Sequence, residues 1–326
     1  MNKMFEKDAR VLFIGDSIIT GGRFVAKIFD YYNTNFPSLN VRIYNKGVPG
    51  DSAGGMLRRF VDDIMDTEAT EVVLMAGMND IYRDLYAEEN PTEENLLRRE
   101  NAKNSHCDNM VKLASLLSEN GLPITLCSST PYDEVSDIPA KNLRGCYAAL
   151  CEIFKRDCEN LKKYNLKNTV DFITPMKEII DGLAERGEKS IVGADRVHPT
   201  QTGHEVMARL FLIDQGINVL HPTARSVIDG SVALPEYTEI NAERFSYEQK
   251  LRSLAFVDYH LSWDRNAYHT IEEKIKFWED NMDIKYPERS GYTYEQIKKY
   301  LVEKKNEPAY RKMLLSLTDK MVFGKD

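Results

Sequence analysis

Over the first two thirds of the chain, short apolar runs alternate with stretches in which apolar residues recur every three or four positions. RVLFIG (10–15) is a continuous run closed by a glycine, the pattern of a buried strand. Val25, Ile28, Phe29 and Tyr32 then follow at helical spacing. VRIYNKG (41–47), EVVLMAG (71–77), PITLCSS (123–129) and TVDFI (169–173) read as further strands. Helices are predicted from Glu93 to Glu119, stopping at Asn120-Gly121, from Leu143 to Tyr164, and from Thr202 to Asp214. This alternation predicts an α/β domain: a doubly wound parallel sheet of about five strands, flavodoxin-like, with helices on both faces.

The pattern changes after Gly216. Residues 217–245 are polar and irregular, with Pro222 and Pro235. Two helix starts follow, Ser246-Tyr247-Glu248-Gln249 and Thr293-Tyr294-Glu295-Gln296, each with the look of a capping box. The chain is therefore divided into a domain over 1–216 and a mainly helical appendage over 217–326. The appendage contains Trp263 and Trp278 and is expected to pack on the first domain or on another subunit of a homo-oligomer.

Composition narrows the partners. The 326 residues are 42% hydrophobic and 29% charged, with a formal net charge of −8. An acidic chain is poorly suited to general nucleic-acid or anionic-membrane binding, since phosphates attract a basic face. The N-terminus lacks the long apolar run and small-residue cleavage site of a secretory signal, and no run is long enough to span a bilayer. A cytoplasmic location is expected. The five cysteines are odd in number and form no C-x-x-C pair, which predicts reduced, mostly buried thiols and no metal site.

In open α/β sheets, ligands bind beyond the carboxyl ends of the strands, so the turns there are where chemistry is sought. After the first strand comes Gly15-Asp16-Ser17. A serine at a strand-to-helix turn is either a helix N-cap or a nucleophile whose own amide faces a developing oxyanion. After the second strand, Asn45-Lys46-Gly47-Val48-Pro49-Gly50 supplies glycines that let backbone approach a ligand. It matches neither a Walker A loop nor G-x-G-x-x-G. After the third come Gly77-Met78-Asn79-Asp80; the Asn79 amide is either an oxyanion donor or part of an Asx turn. Before the last helix stands Asp195-Arg196-Val197-His198-Pro199. A carboxylate three residues ahead of a histidine can accept a hydrogen bond from Nδ1–H and leave Nε2 free as a base; the pair is otherwise a surface loop with a chance histidine, or a two-ligand fragment too small for a metal site.

These four segments, in this order, resemble the SGNH (GDSL-like) hydrolase family, over roughly residues 8–216. The first block continues Gly-Asp-Ser-Ile where the family frequently has leucine, an apolar position either way. The resemblance implies a serine esterase with Ser17 as nucleophile, His198 as base and then acid, and Asp195 orienting the histidine. It implies an oxyanion hole of the Ser17 amide, the Gly50 amide and the Asn79 side chain. Acyl transfer to water would proceed through an acyl-serine, with no metal or organic cofactor. Asp16, Tyr82 and Arg83 are weaker candidates for substrate contact; Asp16 and Asp80 are expected to brace their turns. His106, His221, His260 and His269 have no motif around them, and His204 lies on the last helix near the site.

The family spans carbohydrate O-acetylesterases, lysophospholipases, thioesterases and arylesterases. An acidic chain without an apolar surface helix, and with an appendage rich in Tyr and Trp, points to a small-molecule or oligosaccharide ester and to a carbohydrate O-acetylesterase. The alternatives are a lysophospholipase or acyl-thioesterase, and a non-catalytic binder of acylated ligands.

Overall fold

The computed structural model describes residues 3–59 and 69–234. The two capping-box segments, both tryptophans, His260 and His269 lie outside them.

Five parallel strands form one sheet in the order β2-β1-β3-β4-β5: β1 (Arg10–Gly15), β2 (Arg42–Gly47), β3 (Glu71–Met75), β4 (Ile124–Cys127) and β5 (Leu166–Val170). The central strands β1 and β3 carry continuous apolar runs, Val11–Ile14 and Val72–Met75, because both faces are covered. Along β1, Val11 and Phe13 enter one core with Phe24 and Ile28 of α2 (Arg23–Asn35) and Phe211 of the helix Gln201–Asp214. Leu12 and Ile14 enter the other, with Met56 of α3 (Ala53–Arg58) and Leu113 and Leu117 of α4 (Glu93–Glu119). The two-residue period of the strand thus divides one continuous run between two cores.

β1 lies between β2 and β3, so the chain leaves it first toward one edge of the sheet and later toward the other. That reversal opens a crevice beyond the carboxyl ends of the strands. The turns after Gly15, Gly47 and Met75 all lie at that edge. Gly47 permits the closest approach there: a Cβ on it would stand 2.2 Å from the Thr20 amide nitrogen, in the short helix α1 (Ser17–Thr20).

The remaining helices are α5 (Cys146–Asn160), α6 (Ile173–Ala184), α7 (Gln201–Asp214) and α8 (Ala224–Ile228). α6 was not expected from the sequence. The apolar run TVDFI crosses from strand into helix: β5 ends at Val170, and Phe172 and Ile173 open α6. Pro175 sits in the first turn of α6, where no amide partner is needed. β5 also begins three residues before the predicted run, on Leu166-Lys167-Asn168. Its polar positions are held by contacts from afar. Lys167 Nζ is 2.6 Å from a carboxylate oxygen of Glu71, and Asn168 hydrogen-bonds Asp214.

Past Gly216 the chain stays on the body. Ile217, Val232 and Leu234 join the core around α7. Arg209 donates to the carbonyls of Ser231, Val232 and Ala233, and the Leu234 amide donates to Glu205.

Candidate active site

The turn after β1 shares its tasks between two side chains. Asp16 is the N-cap of α1, its Oδ1 accepting from the Ile18 amide at 2.9 Å. Ser17 is therefore the first helical residue rather than the cap. Its Oγ stands 2.7 Å from His198 Nε2. Asp16 is 1% exposed and faces its own turn, away from open space. Burial pushes its carboxyl up to about 6; the Ile18 amide and His198 pull it down, and Asp80 and Asp51 push it further up.

His198 sits in a loop just ahead of α7. Its Nδ1 is in hydrogen-bond contact with Asp195 Oδ2. Asp195 Oδ1 accepts from the amides of Val197 and His198, each at 3.0 Å. Partial burial works against this carboxylate, but the His198 ring and the two amides outweigh it and hold it below the usual carboxylate range. With Nδ1 engaged by Asp195, Nε2 is left to accept from the Ser17 hydroxyl. Three side chains marked by sequence spacing thus form one hydrogen-bonded chain between loops 181 residues apart.

Arg196, inside the same motif, was not singled out in the sequence. It is buried and adopts a left-handed backbone, φ +66°. Its guanidinium donates to the carbonyls of Ala140, Asp133, Ser136 and Ile138, at 2.6–3.1 Å. The Arg196 carbonyl accepts from the Asp133 amide at 3.0 Å. The loop carrying His198 is pinned through this side chain to the segment after β4.

The other two turns meet each other. Gly50 is exposed and has φ +75°, a conformation that favours glycine. Asn79 Nδ2 donates to the carbonyl of Asp51 at 2.8 Å, which spends one of its two amide hydrogens. Arg59 ties this pair to β1 and β2. Its Nε is 2.7 Å from Asp51 Oδ2, Nη1 is 2.8 Å from the Lys46 carbonyl and Nη2 is 3.3 Å from the Gly15 carbonyl. No local spacing marks Arg59; only the fold brings it to three acceptors at the ends of β1 and β2.

Asp80 braces its own turn, accepting from the amides of Ala53 at 2.9 Å and Gly77 at 3.1 Å. Tyr82 is 64% exposed and held at φ +48°, and Arg83 follows it, half-buried, in a short 3₁₀ turn. His204 is buried and stacks on Phe24, with ring centroids 6.2 Å apart. Among the described residues, no group of three or more His, Cys, Asp or Glu side chains is placed to hold a metal ion. No helix among them is long and apolar enough to cross a membrane.

The family model for GDSL-like lipases and acylhydrolases matches residues 11–211, from within β1 to within α7. The chain belongs to the GDSL-like lipase/acylhydrolase family. It is a serine ester hydrolase of the SGNH type. An acetylxylan esterase from Geobacillus stearothermophilus is 24% identical to this hydrolase over 226 residues, which is 64% of this chain and 94% of the relative. The crystal structure of that organism's acetylxylan esterase Axe2 superposes with a TM-score of 0.52 at 21% identity, covering 67% of this chain and 98% of the other. A gut microbial diltiazem-metabolizing enzyme superposes with a TM-score of 0.61 at 30% identity. That match covers 65% of this chain and 48% of the other, so this hydrolase spans about half the length of that structure.

Proposed function

We propose that this hydrolase removes acetyl groups from a carbohydrate, using Ser17 as nucleophile, His198 as general base and Asp195 as its orienting carboxylate. The observation that carries the reading is the hydrogen-bonded chain from Ser17 Oγ through the His198 ring to Asp195. Ser17 Oγ attacks the ester carbonyl while Nε2 takes its proton, and Asp195 supports the imidazolium that forms. The tetrahedral oxyanion is received by the amides of Ser17 and Gly50 and by the amide hydrogen of Asn79 that Asp51 does not use. His198 returns the proton to the departing sugar hydroxyl. Water then repeats the sequence on the acyl-serine and releases acetate.

The carbohydrate part rests on two supports. One is the likeness to an acetylxylan esterase along nearly that protein's whole length. The other is Tyr82, an exposed aromatic three residues beyond Asn79 in a strained backbone, suited to stacking on a sugar ring.

A chain-length series of p-nitrophenyl esters, run beside acetylated xylo-oligosaccharides, tests the reading. Acetate is expected to exceed butyrate in kcat/KM by at least about tenfold, since a pocket fitted to a methyl group excludes added methylenes. Tyr82→Ala should raise KM for the oligosaccharide and leave p-nitrophenyl acetate nearly unaffected. Preference for octanoate or longer chains would replace the carbohydrate reading with a lysophospholipase or thioesterase one.

A further inference from the structure

Behind the Asn79 turn lies a cluster that the reaction above does not use. His106 of α4 is buried, with its side chain closed off from solvent. Its Nε2 is 2.8 Å from Asp157 Oδ2 of α5. Its Nδ1 is 3.2 Å from Asp80 Oδ1, an ion-pair contact rather than an aligned hydrogen bond. Both carboxylates are buried as well. A neutral imidazole has one N–H, so one of its nitrogens would turn a lone pair toward a carboxylate oxygen. With both neighbours ionised, only the doubly protonated ring suits both.

Asp80 links this cluster to the site. Its two oxygens already hold the amides of Ala53, at the start of α3, and of Gly77, at the start of the turn that contains Asn79. Asp80 also lies within electrostatic reach of Asp16, as does Asp51. Three buried carboxylates thus crowd the floor beneath the carboxyl ends of β1 and β3. A buried carboxylate keeps its place only when paired.

We propose that His106 is a positioning residue that stays protonated, and that its charge, held between Asp157 and Asp80, fixes the turn from which Asn79 meets the oxyanion. The inference rests on the oxyanion reading of Asn79 given above. Burial alone would drive the ring proton off; the Asp157 and Asp80 carboxylates outweigh it and raise His106 from 6.5 to about 10. The groups facing the ring are Asp80 from the turn after β3 and Asp157 from α5, with Cys107 next to it on α4. The Cys107 thiol is pushed up to about 12, by burial first and then by Asp157, and stays protonated over the same range.

The protonation state is read directly from the full-length enzyme labelled with ¹⁵N-histidine. At about pH 8, where an unperturbed imidazole is neutral, both ring nitrogens of His106 should still carry protons. The signal is assigned by its loss in H106Q. A neutral His106 ring at that pH overturns the proposal.

Turnover of p-nitrophenyl acetate supplies the second arm, with N79A, H106Q and the double variant. H106Q should lower kcat by about tenfold or more with KM nearly unchanged, and the double variant should be little worse than N79A, as for residues acting through one another. A wild-type kcat in H106Q beside a damaged N79A overturns the role of His106 alone. Wild-type turnover in N79A overturns the oxyanion reading, and the positioning role with it. D157N keeps a hydrogen-bond acceptor and removes one negative charge. It should bring a fall in kcat at a lower alkaline pH than in the wild type, as His106 gives up its proton. A D157N pH profile parallel to the wild type's counts against the proposal.

Discussion

Asp16 and Ser17 are neighbours, one buried and one half-buried, with separate tasks. Asp16 caps α1 from a fully buried position, and Ser17, one residue on, reaches His198. The buried carboxylate carries a cost at neutral pH. Its value rises from 3.8 to about 6, so the folded state holds its proton more tightly than the unfolded chain does. Stability from this group is therefore fully present below pH 3.8 and is lost as pH rises through about 6. Asp16→Asn keeps an oxygen for the Ile18 amide and removes the charge. It should raise Tm at neutral pH, by the equivalent of about 1–3 kcal/mol, with the gain vanishing toward pH 4. Thermal melts of both proteins across that range check the sign. A variant less stable than the wild type at neutral pH would show that the charge itself is needed. The contacts legible in the sequence were those written as short spacings: Asp195 and His198 are three apart, and Ser17 stands two residues after the glycine that ends β1. Arg59, Arg196 and His106 were not legible, because their partners are distant in sequence. Arg59 meets the Gly15 carbonyl across 44 residues, and His106 meets Asp157 across 51. A lone arginine or histidine in a helical pattern gives no sign of such a contact.

At the scale of elements, Arg59 does for the ends of two strands what a cap does for one helix end. It follows directly on α3 and holds Asp51, the Lys46 carbonyl and the Gly15 carbonyl together. Arg59→Met removes the cation that faces the buried Asp51 carboxylate. Breaking one side of a buried pair typically costs about 3–5 kcal/mol. The expected result is a clear fall in Tm and weakened turnover, because the Gly50–Asp51 turn loses its tether. Arg59→Lys should recover only part of both, since one compact ammonium does not match the fork that reaches three acceptors on two strand ends. Denaturant melts beside kcat measurements test this, and wild-type stability in the methionine variant would deny the tether. The strands and the long helix α4 were legible because their periodicity is strong; Glu93–Glu119 agrees with the predicted span. α6 was not, because the apolar run at its start continues the strand signal of β5. β5 gave a weak signal of its own. It is an edge strand, and its polar residues are satisfied by side chains from β3 and α7.

At the scale of the molecule, the sheet places the loops bearing Ser17, Gly50 and Asn79 at one edge, and α7 brings the His198 loop to meet them. The segment after Gly216 belongs to the same packed body as far as Leu234. A chain ending at Gly216 loses Ile217, Val232 and Leu234 from the core and strips Arg209 and Glu205 of their contacts with residues 231–234. It should melt lower than a chain ending at Leu234, by about 2–4 °C for each kcal/mol lost. Equal melting temperatures would show that these contacts add nothing. The central claim concerns Ser17, His198 and Asp195 acting as one unit, and turnover of p-nitrophenyl acetate by purified variants tests it most directly. Ser17→Ala and His198→Ala should each lose at least about a thousandfold in kcat. The double variant should be little worse than either single, and Asp195→Asn should lose less. Wild-type turnover in Ser17→Ala, with circular dichroism showing an intact fold, would contradict the account at its centre.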